Sequence, residues 1–473
     1  MTIIDMCLRV SPAVISGWLL FWTESIHLSG ELQSSLVPLK CAADKGSVAN
    51  WDMYSGQIKM KPNHVLIKSE HTRSWHTAVI FSMLTSSRRE TFTVGAVTQL
   101  RYTIPHHSHL SSTPMSLPLN TQLKAILDDT FTPEDLAEVL ALVAQEKVPE
   151  SQIITFLALL HAKGLDMNAA YLAAAANTLR HAARLPDTSK LDPEGYVDIV
   201  GTGGDGQNTF NVSTSAAIVA AGMGIKVGKH GGKASTSMSG AGDLLTCLGA
   251  DMSRVHQSTV PDIVAKGPFC FLFAPMFHPV MNRVAPVRKS MGIPTLFNVL
   301  GPLVNPIPVK ARIIGVYSEA LGQIFAEAIT HINRVQGMSQ SPALVVWGEE
   351  GLDEISPAGR TKVWRVTPSQ EIEELYLTPE DFGLSRHPLS EVSSGTPTEN
   401  ATVLKQLLSN ELPDGHPISD YVIMNAAALA VIDGHAKDWK HGVELARESI
   451  KSGKALNALE TFVEASKAAP KEA

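Results

Sequence analysis

The chain has 473 residues, 44% of them hydrophobic and 18% charged, which is apolar material for at least one full core. Its formal net charge of −7 argues against a general nucleic-acid binder, because affinity for a phosphate backbone needs an excess of Lys and Arg. Its four cysteines, Cys7, Cys41, Cys247 and Cys270, lack C-x-x-C spacing, so neither a disulfide framework nor a zinc site is supported and a reducing compartment fits.

Residues 1–116 differ from the rest. The apolar run Ser11 to Trp22 is too short to span a membrane and is closed by Glu24. A signal-peptide reading has Arg9 in its favour, but Asp5 and the missing small-residue cleavage pattern oppose it. From Lys40 to Ser116, isolated Trp51 and Trp75, the His106-His107-Ser108-His109 cluster and many hydroxyl residues show no sustained period of 2.0 or 3.6. This part is expected to be a largely unstructured extension, either a targeting segment or an artefact of gene prediction such as a mistaken start codon or unspliced region.

From Leu117 the pattern turns helical. Leu119–Leu127 is amphipathic, and Thr132-Pro133-Glu134-Asp135 supplies a cap, a first-turn proline and two acids for the next helix. Pro149-Glu150-Ser151 and Asn168 open two more, with Ile153, Ile154, Leu157, Leu159 and Leu160 on one apolar side. A small all-α domain over 117–190 is expected.

Val197–Val200 then reads as a buried strand, and the loop Gly201-Thr202-Gly203-Gly204-Asp205-Gly206-Gln207-Asn208-Thr209-Phe210-Asn211 leads to a helical pattern from Ser213 to Gly222. Ser213 and Thr214 suit the helix N-cap, where free N–H groups and the helix dipole favour an anion. Gly201, Gly203 and Gly206 fit G-x-G-x-x-G, yet a dinucleotide fold wants an acid after the next strand. That strand, Ile225–Gly228, ends in Lys229-His230. A P-loop fails as well, for lack of any lysine from Gly201 to Thr214.

A second loop, Lys229-His230-Gly231-Gly232-Lys233-Ala234-Ser235-Thr236-Ser237-Met238-Ser239-Gly240, again lies between a strand and a helix, Ala241–Leu248. Two such loops ending adjacent strands, with Lys229 and Lys233 supplying charge, suit a polyphosphate better than a single phosphate. Further strands are expected at Phe269–Phe273, Ala311–Tyr317 and Ala343–Trp347, and the last of these delivers the acids Asp353-Glu354. Ser385–Thr398 reads as a loop and Tyr421–Ala465 as helical throughout.

Four ordered segments, Gly201–Thr214, Lys229–Asp243, Ala274–Pro306 and Gly351-Leu352-Asp353-Glu354-Ile355-Ser356, resemble the anthranilate phosphoribosyltransferase family, of the nucleoside phosphorylase-like phosphoribosyltransferase class. The likeness runs from about Leu117 to about Ala465 and leaves the extension uncovered. It implies a large α/β domain, 191–473, with a central, mostly parallel sheet flanked by helices. It also implies a helical domain joined by parts of 283–308, whose Asn298–Pro306 stretch resembles an interdomain hinge and whose helices form a homodimer contact.

The implied activity is transfer of phosphoribose from 5-phosphoribosyl 1-diphosphate to the amine of anthranilate, a step of tryptophan biosynthesis, with Mg²⁺ as cofactor. Phosphoribosyl diphosphate is then expected against Gly201, Gly203, Gly204, Asp205, Thr209, Asn211, Val212, Ser213, Thr214, Lys229, Gly231, Gly232, Lys233, Ser235, Ser237 and Ala241. Anthranilate is expected against Gly201, His230, Gly232, His278 and Arg288, since a guanidinium can hold a carboxylate through two parallel N–H bonds. The resemblance assigns Ser213, Asp353 and Glu354 to the metal, which suits the preference of Mg²⁺ for one or two carboxylates plus substrate phosphate oxygens. Lys229, Arg288, Asp353 and Glu354 are the expected catalytic set, in a cytoplasmic enzyme. One departure stands out: the second loop reads His230-Gly231-Gly232-Lys233 where the common pattern is His-Gly-Asn-Arg. A nucleoside phosphorylase of the same superfamily and a non-catalytic nucleic-acid-binding relative are the alternatives.

Overall fold

The computed structural model describes residues 118–233, 238–338 and 340–472, together with the backbone of four strands near the N-terminus. Those strands, β1 (Val37–Lys40), β2 (His64–His71), β3 (Trp75–Ser82) and β4 (Thr93–Val97), pair antiparallel in the order β1-β4-β3-β2. Other residues before 118 lie outside the described part, and the expectation for the extension falls mainly on them. The segment 1–114 is one compact unit and 115–473 another.

The second unit begins with helices α1 (Asn120–Leu127), α2 (Pro133–Ala144), α3 (Glu150–Ala162) and α4 (Ala169–His181). Thr132 and Asp135 close a capping box on α2, with Pro133 in the first turn where no N–H is needed. Leu136, Val139, Leu140 and Val143 then fall on one face and are buried, which stabilises by roughly 1.5–3 kcal/mol per side chain. The same spacing buries Ile153, Phe156, Leu157 and Leu160 of α3. Ile154 and Leu159, expected on that side, are only half-buried, because they flank the stripe. Asn168 caps α4 by accepting from the Ala170 N–H at 3.0 Å.

The sheet carries seven strands: β5 (Tyr196–Gly201), β6 (Val227–Gly231), β7 (Phe269–Phe273), β8 (Val309–Gly315), β9 (Ala343–Gly348), β10 (Thr361–Val366) and β11 (Ile372–Leu377). Its order is β11-β10-β9-β8-β5-β6-β7, parallel from β9 to β7 and antiparallel in the β9-β10-β11 meander. Alternation splits the apolar side chains between two faces. Ala311, Ile313, Leu344 and Val346 join one core with α5 (Val212–Gly222), whereas Ile314, Ala343 and Val345 join the core that also holds the helical domain. Val284 and Val287 of α7 (Pro279–Met291), which follows α6 (Ala241–Cys247), belong to that second core, as do Leu296, Phe297 and Leu300.

Several boundaries differ from the sequence reading. The strand expected at Ala311–Tyr317 runs Val309–Gly315, in register with β5 from Tyr196 to Gly201. The strand expected at Ile225–Gly228 runs Val227–Gly231, because Lys229, His230 and Gly231 continue the parallel ladder opposite Phe271, Leu272 and Phe273. The C-terminal stretch is not one helical run. It divides into α10 (Pro417–Ile432), α11 (Trp439–Lys451) and α12 (Lys454–Ala468), following α8 (Glu319–Val335) and α9 (Pro397–Leu408), and Gly434 and Gly453 take left-handed φ values of 80° and 73° at the breaks.

Candidate active site

Strand order reverses at β5: β6 and β7 lie on one side of it and β8 on the other, so the loops leaving the C-terminal ends of β5 and β8 diverge. In an open parallel sheet such a switch point leaves a crevice for ligands. The residues that end the two strands there are Gly201 and Gly315, paired in register. A Cβ on Gly201 would lie 2.2 Å from Asp353 Oδ2, so the carboxylate sits in the space that a side chain would fill.

Asp353 arrives on the turn after β9, which is closed by Gly348 and Leu352. Its Oδ2 accepts the Gly203 N–H at 2.7 Å. Burial pushes the Asp353 carboxyl up to about 7, with the neighbouring Asp205 adding to the rise and the Gly203 bond opposing it. Glu354 is pushed well above its ordinary value, again by burial first and then by Asp353, while Lys229 and a hydrogen bond from Ser213 pull it down. Ser213, Asp353 and Glu354 are thus brought together from α5 and the β9 turn, with more negative charge than the buried cation beside them neutralises. That donor set, two carboxylates and a hydroxyl, fits a hard divalent cation. Among the described residues no group of three or more His, Cys, Asp or Glu is placed to hold a metal ion.

The loop from Gly201 to Asn211 is fixed at several points. Gly203, Gly204, Gly206 and Asn208 have positive φ, which turns the backbone sharply. The Gln207 amide donates to the Glu350 carbonyl at 2.6 Å, Phe210 N–H to Val392 at 2.8 Å, and Thr209 bridges Ser393. Asn211, rather than Ser213 or Thr214, is the N-cap residue of α5; Ser213 and Thr214 lie in its first turn because the helix starts at Val212. Their position still directs first-turn N–H groups of α5 toward the crevice. Asn211 also ties the two loops together, donating to the Ser239 carbonyl at 2.7 Å and accepting from Asn400 at 2.9 Å.

Lys229 is the middle residue of β6, opposite Phe271 of β7. It is 2% exposed and its Nζ donates to the Ile199 carbonyl. Burial lowers the ammonium's pKa, and Asp198, Glu354 and Asp353 raise it back, which marks Lys229 as the counter-ion of the acid cluster. Lys233 is exposed, Gly231, Gly232 and Ala241 are half-buried, and Ser235 and Ser237 lie outside the described residues.

His230 and His278 meet edge to face, Nε2 to Nε2 at 3.2 Å, and both are buried. His230 Nδ1 lies 3.1 Å from the Gly301 carbonyl; if it donates there, Nε2 is left to accept from His278. Burial lowers both, His278 to about 4. Arg288 is half-buried on α7, and its Nε has no hydrogen-bond partner among the described residues. Burial lowers its pKa. No described hydrogen bond or ion pair links it to the acid cluster.

Several supporting residues were not singled out in the sequence. Asp198 on β5 accepts from Asn305 at 2.8 Å and from the His230 N–H at 3.2 Å, and Asn305 also donates to the Gly228 carbonyl at 2.8 Å. Asn425 brackets Ile355 from N–H and carbonyl alike, and Tyr421, fully buried, faces Glu354 and Thr209. The one available signal was chemical type: Asp, Asn and Tyr in strongly apolar surroundings need partners.

The sequence matches the glycosyl transferase family a/b domain over residues 194–456 and the glycosyl transferase family helical bundle domain over 123–183. The anthranilate phosphoribosyltransferase of Schizosaccharomyces pombe is 54% identical over 267 residues, 56% of this chain and 73% of the relative. That of Saccharomyces cerevisiae is 48% identical over 330 residues, 66% of this chain and 86% of the relative. Solved structures agree. The Saccharomyces cerevisiae enzyme in complex with PRPP and Mg superposes with a TM-score of 0.68 at 42% identity, covering 74% of this chain and 98% of that one. The same enzyme in complex with 4-fluoroanthranilate gives 0.67 at 40% identity, covering 74% and 97%. By its motifs, its sheet and its relatives, the chain belongs to the anthranilate phosphoribosyltransferase family.

Proposed function

We propose that this chain carries out its family's reaction through the crevice between β5 and β8. The C1–N bond to anthranilate forms as the bond from ribose C1 to pyrophosphate breaks, and the aniline nitrogen releases a proton. That nitrogen is neutral near pH 7, so no strong general base is required. The observation that carries this reading is the meeting of Gly203 N–H, Ser213, Asp353 and Glu354 at the strand ends.

Ser213, Asp353 and Glu354 would hold Mg²⁺, which when bound supplies positive charge to the pyrophosphate oxygens. The N–H groups of the Gly201–Thr214 loop and the first turn of α5 bind the diphosphate, with Lys233 at the rim. Lys229, buried beside Glu354, favours its ionisation against the burial that opposes it. Arg288 holds the anthranilate carboxylate, and the neutral His230–His278 pair with Gly232 shapes the pocket around its ring. Stabilising the departing charge and orienting the acceptor are the protein's main contributions.

A homodimer through the helical domain is what the family resemblance implies, and sedimentation velocity tests it. The free thiols of Cys247 and Cys270 fit the cytoplasm, a location checked by fractionation of cells expressing a tagged chain. No described helix is long and apolar enough to cross a membrane. The activity itself is tested by mixing the chain with Mg²⁺, phosphoribosyl diphosphate and anthranilate and following anthranilate fluorescence. Loss of signal that requires all three supports the reading. Phosphate-dependent release of base from a nucleoside, without that loss, overturns it.

A further inference from the structure

Arg180 from the last turn of α4 and Arg312 from the middle of β8 line one small cleft with Asn305, Leu303 and Gln336. The cleft joins three parts of the fold: the helical domain, the hinge segment and the sheet. Arg312 is only 4% exposed. Arg180 gives one Nε hydrogen bond, to the Asn305 carbonyl at 3.4 Å; among the described residues neither guanidinium makes an ion pair and Arg312 makes no side-chain hydrogen bond.

Two cations close together and out of water are costly unless a negative group answers them. Arg312 feels Arg180 as a like charge, and burial takes it down to about 10. Asp198 is the carboxylate that faces Arg312. It is already engaged: Asn305 and the His230 N–H donate to it, and Lys229 acts on it as an opposite charge. Lys229 also answers Asp353 and Glu354, so the cations left at the cleft are Arg312 and Arg180, with Asp198 as the one carboxylate that acts on Arg312. The cleft has room for one ion of about the size of a water molecule.

We propose that the cleft between Arg180 and Arg312 is a binding site for a small monovalent inorganic anion of the chloride class, which pins α4 to the hinge at Asn305. The two guanidiniums that line the cleft supply the N–H donors, and Asn305 carries the effect onward, since its side chain holds Asp198 and the Gly228 carbonyl of β6. The cleft shares no lining residue with the phosphate crevice, so the anion is given no part in the transfer.

The test compares sodium chloride with sodium gluconate at constant ionic strength. Chloride is expected to raise the Tm of the full chain by about 2 °C or more, saturating with concentration. In Arg312→Gln and in Arg180→Gln the rise should vanish, while Tm in gluconate stays equal or increases because the repulsion is gone. Crystals soaked in bromide should show an anomalous peak between the two side chains. An equal chloride response in the native chain and both variants overturns the site, and so does bromide found only at the crevice of α5. Should Arg312→Gln fail to fold, Arg180→Gln, at a half-buried position, and the bromide map decide the matter alone.

Discussion

Gly315 lies directly under Asp353: a Cβ added to the glycine would stand 1.5 Å from the Asp353 carbonyl oxygen and 2.3 Å from its carbonyl carbon. Backbone cannot yield by that much without moving the turn. Gly315→Ala is therefore expected to destabilise by about 1–3 kcal/mol or more, as overpacking does, and to cost activity beyond the loss of folded protein. Gly201→Ala makes a different contact, with the Asp353 carboxylate, whose far end can swing away. There the Tm should fall less, while the Mg²⁺ concentration for half-maximal rate rises about tenfold or more, a shift of roughly 1.4 kcal/mol. A normal Mg²⁺ response in Gly201→Ala would sink the assignment of Asp353.

Asp353→Ala with Glu354→Ala separates catalysis from stability. Removing electrostatic contacts of this kind costs about 10²- to 10³-fold in turnover, so little activity should remain at limiting Mg²⁺. Stability should move the other way in EDTA. Asp353 holds its proton up to about 7 in the fold but only to its ordinary value of 3.8 when unfolded. Between those values the folded state binds more protons, so stability falls as pH rises through the window. Above it the cost of the native carboxylate is on the order of a few kcal/mol. The double variant should escape that cost and melt at or above the native chain at pH 8, measured by thermal unfolding.

The histidine pair gives the opposite pH signature. His278 titrates at about 4 in the fold against an ordinary 6.5. As pH falls from 6.5 to 4 the unfolded chain takes up the proton and the folded one resists, so stability drops, by roughly 3 kcal/mol at most. His278→Gln retains an N–H to offer His230 and has nothing to titrate. Urea unfolding at pH 7 and pH 5 should show a smaller loss for this variant; equal losses would mean that other groups govern the acid limb.

How far the sequence foretells this architecture depends on whether the cause is local. Phe269–Phe273 forms the strand that its apolar run suggests, and Thr132-Pro133 caps its helix as the residue types demand. Lys229 and His230 read as loop because nothing in their own chemistry favours a strand. They are strand because Phe271 and Leu272 on β7 pair with them. Gly315 looks like any strand glycine until a turn from residue 353 is laid across it. Asp198 and Asn305, 107 residues apart, acquire meaning only as a hydrogen-bonded pair. What stays hidden is the contact that depends on two distant segments at once.

Gly232 stands where the common family pattern has Asn, and the space around it is open: a Cβ there meets nothing within 4 Å. Gly232→Asn should thus fold with its Tm unchanged to within about 2 °C, as expected for a substitution without a clash. Its amide would add a donor and an acceptor beside the acceptor pocket. The expected result is a change in KM for anthranilate with KM for phosphoribosyl diphosphate unaltered, read from initial rates with each substrate varied. If the diphosphate KM moves instead, Gly232 faces the phosphate side of the crevice.

Arg288→Lys tests the acceptor site at constant charge. The native Nε is buried without a partner among the described residues, so the planar fork is available to a carboxylate. A lysine ammonium keeps the positive charge but cannot give two parallel N–H bonds, and its shorter reach leaves the carboxylate partly unsatisfied. Losing one charge-assisted bond costs about 1.5–3 kcal/mol, hence a rise of roughly 10- to 100-fold in KM for anthranilate. KM for phosphoribosyl diphosphate should stay within about twofold, because a phosphate loop some way along the crevice does not depend on that guanidinium. A similar fall in affinity for both substrates would place Arg288 on the diphosphate, and an unchanged anthranilate KM would remove it from the site altogether.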